Sequence, residues 1–265
     1  MSVNEPSPKS RDGETIMATN KGSFFWYELM SPDIEASKTF YTQVVGWTAR
    51  AFEGGQDYTV LSAGDQGVGG IMAVPQGVPP HWIGYIHVAD TDAAAASAQA
   101  AGAKLMRPAW DVPTVGRMAP VTDPQGAGYM LMTPFSDAER PKVAPDTPGH
   151  IGWHELHTTN WEKAWDYYCG QYGWSKDHAM DMGPMGTYQI FAEDGQQRGA
   201  MFNNPNVPHP IWLFYFVVDT ITAAQQRLEK AGGKVIQGPH EVPGGNWIVQ
   251  ATDPQGVMFA LVGPR

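Results

Sequence analysis

The chain has 265 residues, 42% of them hydrophobic and 17% charged, enough apolar material for two ordinary cores. Its net charge of −10, with no basic run, excludes nucleic acid and anionic membrane surfaces as electrostatic partners. No apolar stretch is long enough to span a bilayer, and the single cysteine, Cys169, rules out an intrachain disulfide and fits a reducing, cytoplasmic compartment.

Residues 1–20 have no apolar signal core; their Pro, Ser and charge content predicts a disordered tail, with Met17 a candidate alternative start. Trp26–Met30 reads as a strand. Ser31-Pro32-Asp33 then offers a helix cap with Pro at the first helical position, and Ile34, Ser37, Tyr41 and Val44 follow at helical spacing until Gly46. Tyr58–Ser62 and Val68–Val74 are short strands set between glycines. After a Pro-rich break at 75–80, Trp82–Val88 is a strand and Asp92–Ala101 an Ala-rich helix closed by Gly102. Arg117–Val121 and Gly128–Thr133 are strands flanking the turn TDPQG (122–126). Pro134, Pro141, Pro145 and Pro148 mark a linker at 135–148. The series then restarts. Thr159-Asn160-Trp161-Glu162 has the form of a capping box, Tyr188–Ala192 and Gly199–Phe202 are strands, and Ile211–Val262 contains a helix from Ile221 to Ala231.

The restart is a duplication. GSFFWYELMSPDIEASKTFYTQVVGW (22–47) returns as GHIGWHELHTTNWEKAWDYYCGQYGW (149–174), offset by 127. Later blocks align at an offset of 130: Trp82 with Trp212, AGAK (101–104) with AGGK (231–234), DVP (111–113) with EVP (241–243), and TDPQG with TDPQG (252–256). Four strand–helix–strand units therefore make two domains, 21–134 and 149–265, in an α+β chain with mostly antiparallel sheet.

These blocks resemble the vicinal oxygen chelate superfamily, which includes glyoxalase I, extradiol dioxygenases and bleomycin-resistance proteins. An Asp-initiated helix with FYxxxxGW (Phe40–Trp47), a strand ending in VADTD (Val88–Asp92), AGAK and the DPQG turn carry the resemblance over nearly the whole of both halves. The chain looks most like a tandem-domain bacterial glyoxalase-like group with WxEL in the first strand. The resemblance implies tandem βαβββ modules, two per glyoxalase/bleomycin-resistance-type domain, each domain curling into a cup for a metal or small ligand. It implies no single activity, because isomerases, dioxygenases and plain drug binders share the fold.

Counted from the family's motifs, the metal-ligand positions fall on Trp26, Ile83 and Met130, and on Trp153, Leu213 and Ala260. None offers carboxylate oxygen or imidazole nitrogen, so no metal and no other cofactor is expected. His154-Glu155-Leu156-His157 sits on a strand, where Glu155 and His157 share a face with Trp153, His154 points away, and no third ligand is identifiable. His81, His87, His178, His209 and His240 are expected on the surface or in turns.

The inward residues common to both halves are the site candidates. Glu28 and Glu155, each beside a Trp, are candidate general acids or bases whose pKa desolvation would raise; a structural tie to a backbone N–H or an Arg is the equal alternative. Candidate ligand-binding residues are Trp26, Trp153 and His157; Tyr85 and Tyr215 for stacking; Arg117 for an anionic group; and its counterpart Trp247 for an aromatic one. Trp82 and Trp212 are expected to pack between modules, and Cys169, aligned with Thr42, to be an inert helix residue. The expected function is binding of a small molecule without metal, the acidic surface suiting cationic or neutral amphiphiles, by a monomer or homodimer. The alternative is a metal-independent lyase, isomerase or hydrolase using Glu28 or Glu155. A glyoxalase-type metalloenzyme is the third reading, opposed by the counted positions.

Overall fold

In each half a strand feeds a helix that starts on a side-chain cap. β1 (Phe24–Ser31) leads to α1 (Ile34–Val44), where the Asp33 carboxylate accepts from Ala36 N at 3.0 Å. The cap is thus Asp33, and Ser31-Pro32 lies ahead of the helix. β10 (Ile151–Thr158) leads to α3 (Trp161–Tyr172), capped by Asn160 accepting from Lys163 N at 2.9 Å. The expected capping box does not form, because the Thr159 hydroxyl donates instead to Gln125 of the other half.

The computed structural model describes residues 22–54, 57–136 and 141–265; the tail expected at 1–20 lies outside these. The first half continues with β2 (Thr48–Ala51), β3 (Tyr58–Ala63), β4 (Gln66–Ala73), β5 (His81–His87), α2 (Thr91–Ala100), β6 (Lys104–Leu105), β7 (Trp110–Val112), β8 (Gly116–Thr122) and β9 (Gly128–Pro134). The second continues with β11 (Ser175–Asp181), β12 (Thr187–Glu193), β13 (Gln196–Asn203), β14 (Ile211–Val217), α4 (Ile221–Lys230), β15 (Lys234–Glu241), β16 (Trp247–Thr252) and β17 (Met258–Gly263). This is the tandem βαβββ architecture. Strands β2, β11 and β15 went unforeseen because they are mostly exposed and lack the apolar alternation that marks a half-buried strand.

Among the described residues the first sheet runs β2-β3-β4-β1-β5-β9-β8-β6, with β7 also on β8, and the second runs β11-β12-β13-β10-β14-β17-β16-β15. Two modules meet in each sheet where β1 pairs antiparallel with β5, and β10 with β14. A register shift between Phe24 and Trp26, repeated between Ile151 and Trp153, sets the faces of the central strands. Beyond it, Trp26, Glu28 and Met30 face into the cup, while Tyr27 and Leu29 face the main core. Close strand approach needs glycine at equivalent places on β4 and β13. A Cβ on Gly69 would overlap the Tyr27 carbonyl oxygen, and one on Gly199 the His154 carbonyl oxygen.

The main core lies between the halves, and reciprocal hydrogen bonds close it. Trp47 Nε1 donates to Gly149 O at 2.6 Å, and Trp174 Nε1 to Gly22 O at 2.9 Å. Tyr41 on α1 donates to Asp253, and Tyr168 on α3 donates to Asp123, each at 3.1 Å. Trp82 and Trp212 donate in turn to those tyrosine hydroxyls, at 2.9 and 3.0 Å; both pack in the main core and also border the first-half cavity. The twice-present TDPQG turn is therefore a clasp. Asp123 Oδ1 accepts the amides of Gln125, Gly126 and Ala127, folding the turn. Gln125 Oε1 then accepts from Thr158, Thr159 and the Asn160 amide across the interface, and Gln255 accepts from Ser31 through Oε1 and donates through Nε2 to the Asp33 carbonyl and the Ser37 hydroxyl. Cys169 is half-buried on α3 against this core.

Candidate functional site: two unequal cups

The first-half cup is a cavity of about 840 Å³. Its walls carry Trp26, Phe52, Tyr58 and Trp110, with Met30, Met118, Met130 and Met132 between them. Glu28 supplies the one carboxyl among the described lining residues. It sits at the centre of β1, beside Ile83 on β5, and is 5% exposed. Burial pushes its pKa up to about 7, a rise opposed by hydrogen bonds from the Tyr85 and Tyr58 hydroxyls. Tyr58 itself accepts from Trp26 Nε1 at 2.9 Å. Trp26, Glu28 and Tyr85 are thus brought together, Tyr85 lining the cavity with its hydroxyl bonded to the carboxyl.

In the second half the equivalent carboxyl is held by more partners. Glu155 accepts from Tyr188 at 2.6 Å and Tyr215 at 3.0 Å, the counterparts of Tyr58 and Tyr85. Two further donors reach it: His157 Nε2 at 2.7 Å and Gln250 Nε2 at 3.2 Å. Asn204 Nδ2 donates to His157 Nδ1 at 2.9 Å, which leaves the imidazole proton on Nε2, facing Glu155. Trp153 joins through Tyr188, donating at 2.8 Å. The first half has Met30 where the second has His157, and Pro120 where the second has Gln250. These two exchanges remove half of the donors from the first carboxyl.

Two of the sequence-derived candidates stand outside the cups. Met118 and Pro120 face into the first cup, so alternation along β8 sends Arg117 to the opposite side. There its guanidinium pairs with Asp92 on α2 at 2.5 Å and Asp111 at 2.8 Å. Alternation on β16 likewise puts Ile248 with the cup cluster and Trp247 against the main core, under the Arg265 guanidinium at 4.2 Å. Among the histidines expected on the surface, His87 is buried beside Phe25. His81 and His209 line the first cavity, and His178 and His240 are exposed. His154 points into the main core, within 2.5 Å of the Tyr27 hydroxyl, and burial lowers its pKa to about 4.

Residues that escaped notice in the sequence are Tyr58, Tyr188, Gln250, Trp110 and Arg107. Tyr58 and Tyr188 lie at the start of equivalent strands, so the repeat itself carried their signal. The positions counted as family metal ligands, Trp26, Ile83 and Met130, do lie on adjoining strands of the first cup. Among the described residues no group of three or more His, Cys, Asp or Glu side chains is arranged to hold a metal ion, and no helix is long and apolar enough to cross a membrane.

Comparison with known proteins places these features in context. Residues 23–131 and 148–261 match the family model described as Glyoxalase/Bleomycin resistance protein/Dioxygenase superfamily. The chain is 30% identical over 253 residues to the Mycobacterium tuberculosis protein named "Putative glyoxylase CFP32", covering 92% of this chain and 95% of that protein. It is 29% identical over 263 residues to the Streptomyces peucetius "Anthracycline biosynthesis protein DnrV", covering 91% and 93%. Among solved structures, the Mn(II)-bound glyoxalase from Novosphingobium aromaticivorans superposes with a TM-score of 0.65 at 17% identity, covering 92% of this chain and 82% of that one. At that identity the likeness concerns the fold alone.

Proposed function

The chain belongs to the Glyoxalase/Bleomycin resistance protein/Dioxygenase superfamily, and from that premise we propose that its first-half cup binds a flat, largely apolar small molecule without a metal. The observation that carries this reading is the cavity of about 840 Å³ lined by aromatic rings and methionines around one carboxyl. Its size is that of a pocket for a drug-sized ligand, on the order of 300–1,000 Å³. Thioethers adapt their shape to flat rings, and Trp26 and Trp110 supply stacking surface. The indole, alkyl and thioether groups of Trp26, Ile83 and Met130 do not fit a divalent cation, which supports a metal-independent site. Similarity to a protein named for anthracycline biosynthesis supports a fused-ring aromatic ligand. Glu155 and His157, held by their own partners, serve the fold in this reading.

Titration of the whole chain with an anthracycline and other fused-ring aromatics, followed by tryptophan fluorescence and thermal shift, tests the reading. The expected result is one ligand per chain, lost when Ile83→Trp fills the cup. Absence of saturable binding across the set refutes it. The Glu28 carboxyl favours a second reading, general acid or base catalysis of a lyase, isomerase or hydrolase reaction, since a pKa near 7 suits proton exchange at neutral pH. Glu28→Gln that retains ligand binding but loses turnover would establish it.

A further inference from the structure

The mouth of the first cup differs in charge from the protein that surrounds it. The chain as a whole carries −10, yet the titratable side chains that line the opening are Arg107, His81 and His209, with Glu28 on the floor. The −10 is spread over the whole chain and acts weakly beyond a Debye length of about 8 Å at physiological salt, so the nearest charge governs the mouth. That charge is Arg107. Its guanidinium carbon lies over the Trp110 indole, 3.7 Å from the ring centroid, and no carboxylate among the described residues pairs with it. Arg117, Arg198 and Arg227 each have an acidic partner. An exposed guanidinium held over a ring and without an acidic partner can turn its N–H donors to a carboxylate or sulfonate. The device is confined to one half. The second half has Gln237 and His240 at the positions of Arg107 and Trp110, and Pro79 and Ile211 are the opposite-half counterparts of His209 and His81.

We propose that this mouth selects ligands that carry an anionic group, carboxylate or sulfonate, at one end of the flat apolar body, with Arg107 receiving it. This rests on the reading of the cup as an apolar binding site and adds a charge requirement that neither the fold nor the net charge supplies. The ligand class is then an aromatic acid, entered ring first, its charged end left at the rim.

Two dyes with one aromatic skeleton separate the claims: neutral phenylnaphthylamine and its sulfonated analogue, anilinonaphthalene sulfonate. Each is titrated against the whole chain by fluorescence enhancement, and each is used to displace the other. The expected result is mutual displacement, with the sulfonate about fivefold tighter at low salt, the scale of one partly exposed charge pair. Raising salt from about 20 mM to about 500 mM should bring that ratio toward one. Arg107→Gln should bring it to one at low salt, and Arg107→Lys should keep part of it. A neutral dye that binds with no sulfonate preference, or a preference that Arg107→Gln leaves intact, overturns the charge requirement and leaves the apolar cup standing. If neither dye saturates, or the two do not displace each other, the reading of the cup fails first. Displacement needs no core variant, so that outcome does not depend on Ile83→Trp folding.

Discussion

Replacing Glu28 by Gln should make the protein more stable at alkaline pH. Burial sets the carboxyl at about 7 in the fold, against 4.5 in the unfolded chain. Between those values the folded protein holds a proton that the unfolded chain has released. The group's contribution is therefore complete below pH 4.5 and is lost as pH rises through 7. Integrated over the full shift, the loss is about 3 kcal/mol, and about 2.5 kcal/mol of it falls between roughly pH 5 and pH 8. Glu28→Gln keeps the shape and an oxygen for the tyrosine hydroxyls while removing the titration. Glu193, which burial also raises to about 7, is present in both proteins and cancels from the comparison. Urea unfolding of both proteins, read by tryptophan fluorescence across that pH range, measures the gap. The variant's advantage should widen by about 2.5 kcal/mol from pH 5 to pH 8. A gap that stays flat would mean water reaches the carboxyl in the fold, and the account of a desolvated Glu28 would be wrong.

Glu155→Gln should instead destabilise by about 1–3 kcal/mol near neutral pH, because its amide NH2 would face donors where a carboxylate oxygen accepts; a neutral result in urea unfolding contradicts the four-donor arrangement. Gln255→Ala removes the contacts to Ser31, Asp33 and Ser37 and should cost about 1–3 kcal/mol, with faster amide exchange over residues 31–37 and no change in the cup. Gly199→Ala must push β10 from β13 to clear the His154 carbonyl, an overpacking cost of about 1–3 kcal/mol that thermal unfolding would reveal as a lowered midpoint.

Much of the architecture could be read from the chain because it is written in local patterns and then written again. Strand and helix periods and the two TDPQG turns depend on neighbours a few residues away, and the repeat checks each against its copy. The same alternation put Trp26 with Glu28, and Trp153 with Glu155 and His157, on shared faces. It gave no guide to Arg117 and Trp247, whose direction depends on which face of β8 and β16 turns to the cup.

The tertiary structure decided what the sequence could not. Whether a buried Glu is satisfied depends on donors from distant strands: Gln250 lies 95 residues from Glu155, and its first-half counterpart is a proline with no donor to give. The clasp made by TDPQG is likewise a contact with the other half, so its repetition revealed that the turn mattered and not what it touched. The sequence determined two cups on one frame. The fold decided that one carboxyl is held by four donors and the other by two, because hydrogen bonds and charges act across space and their partners are not neighbours in the chain.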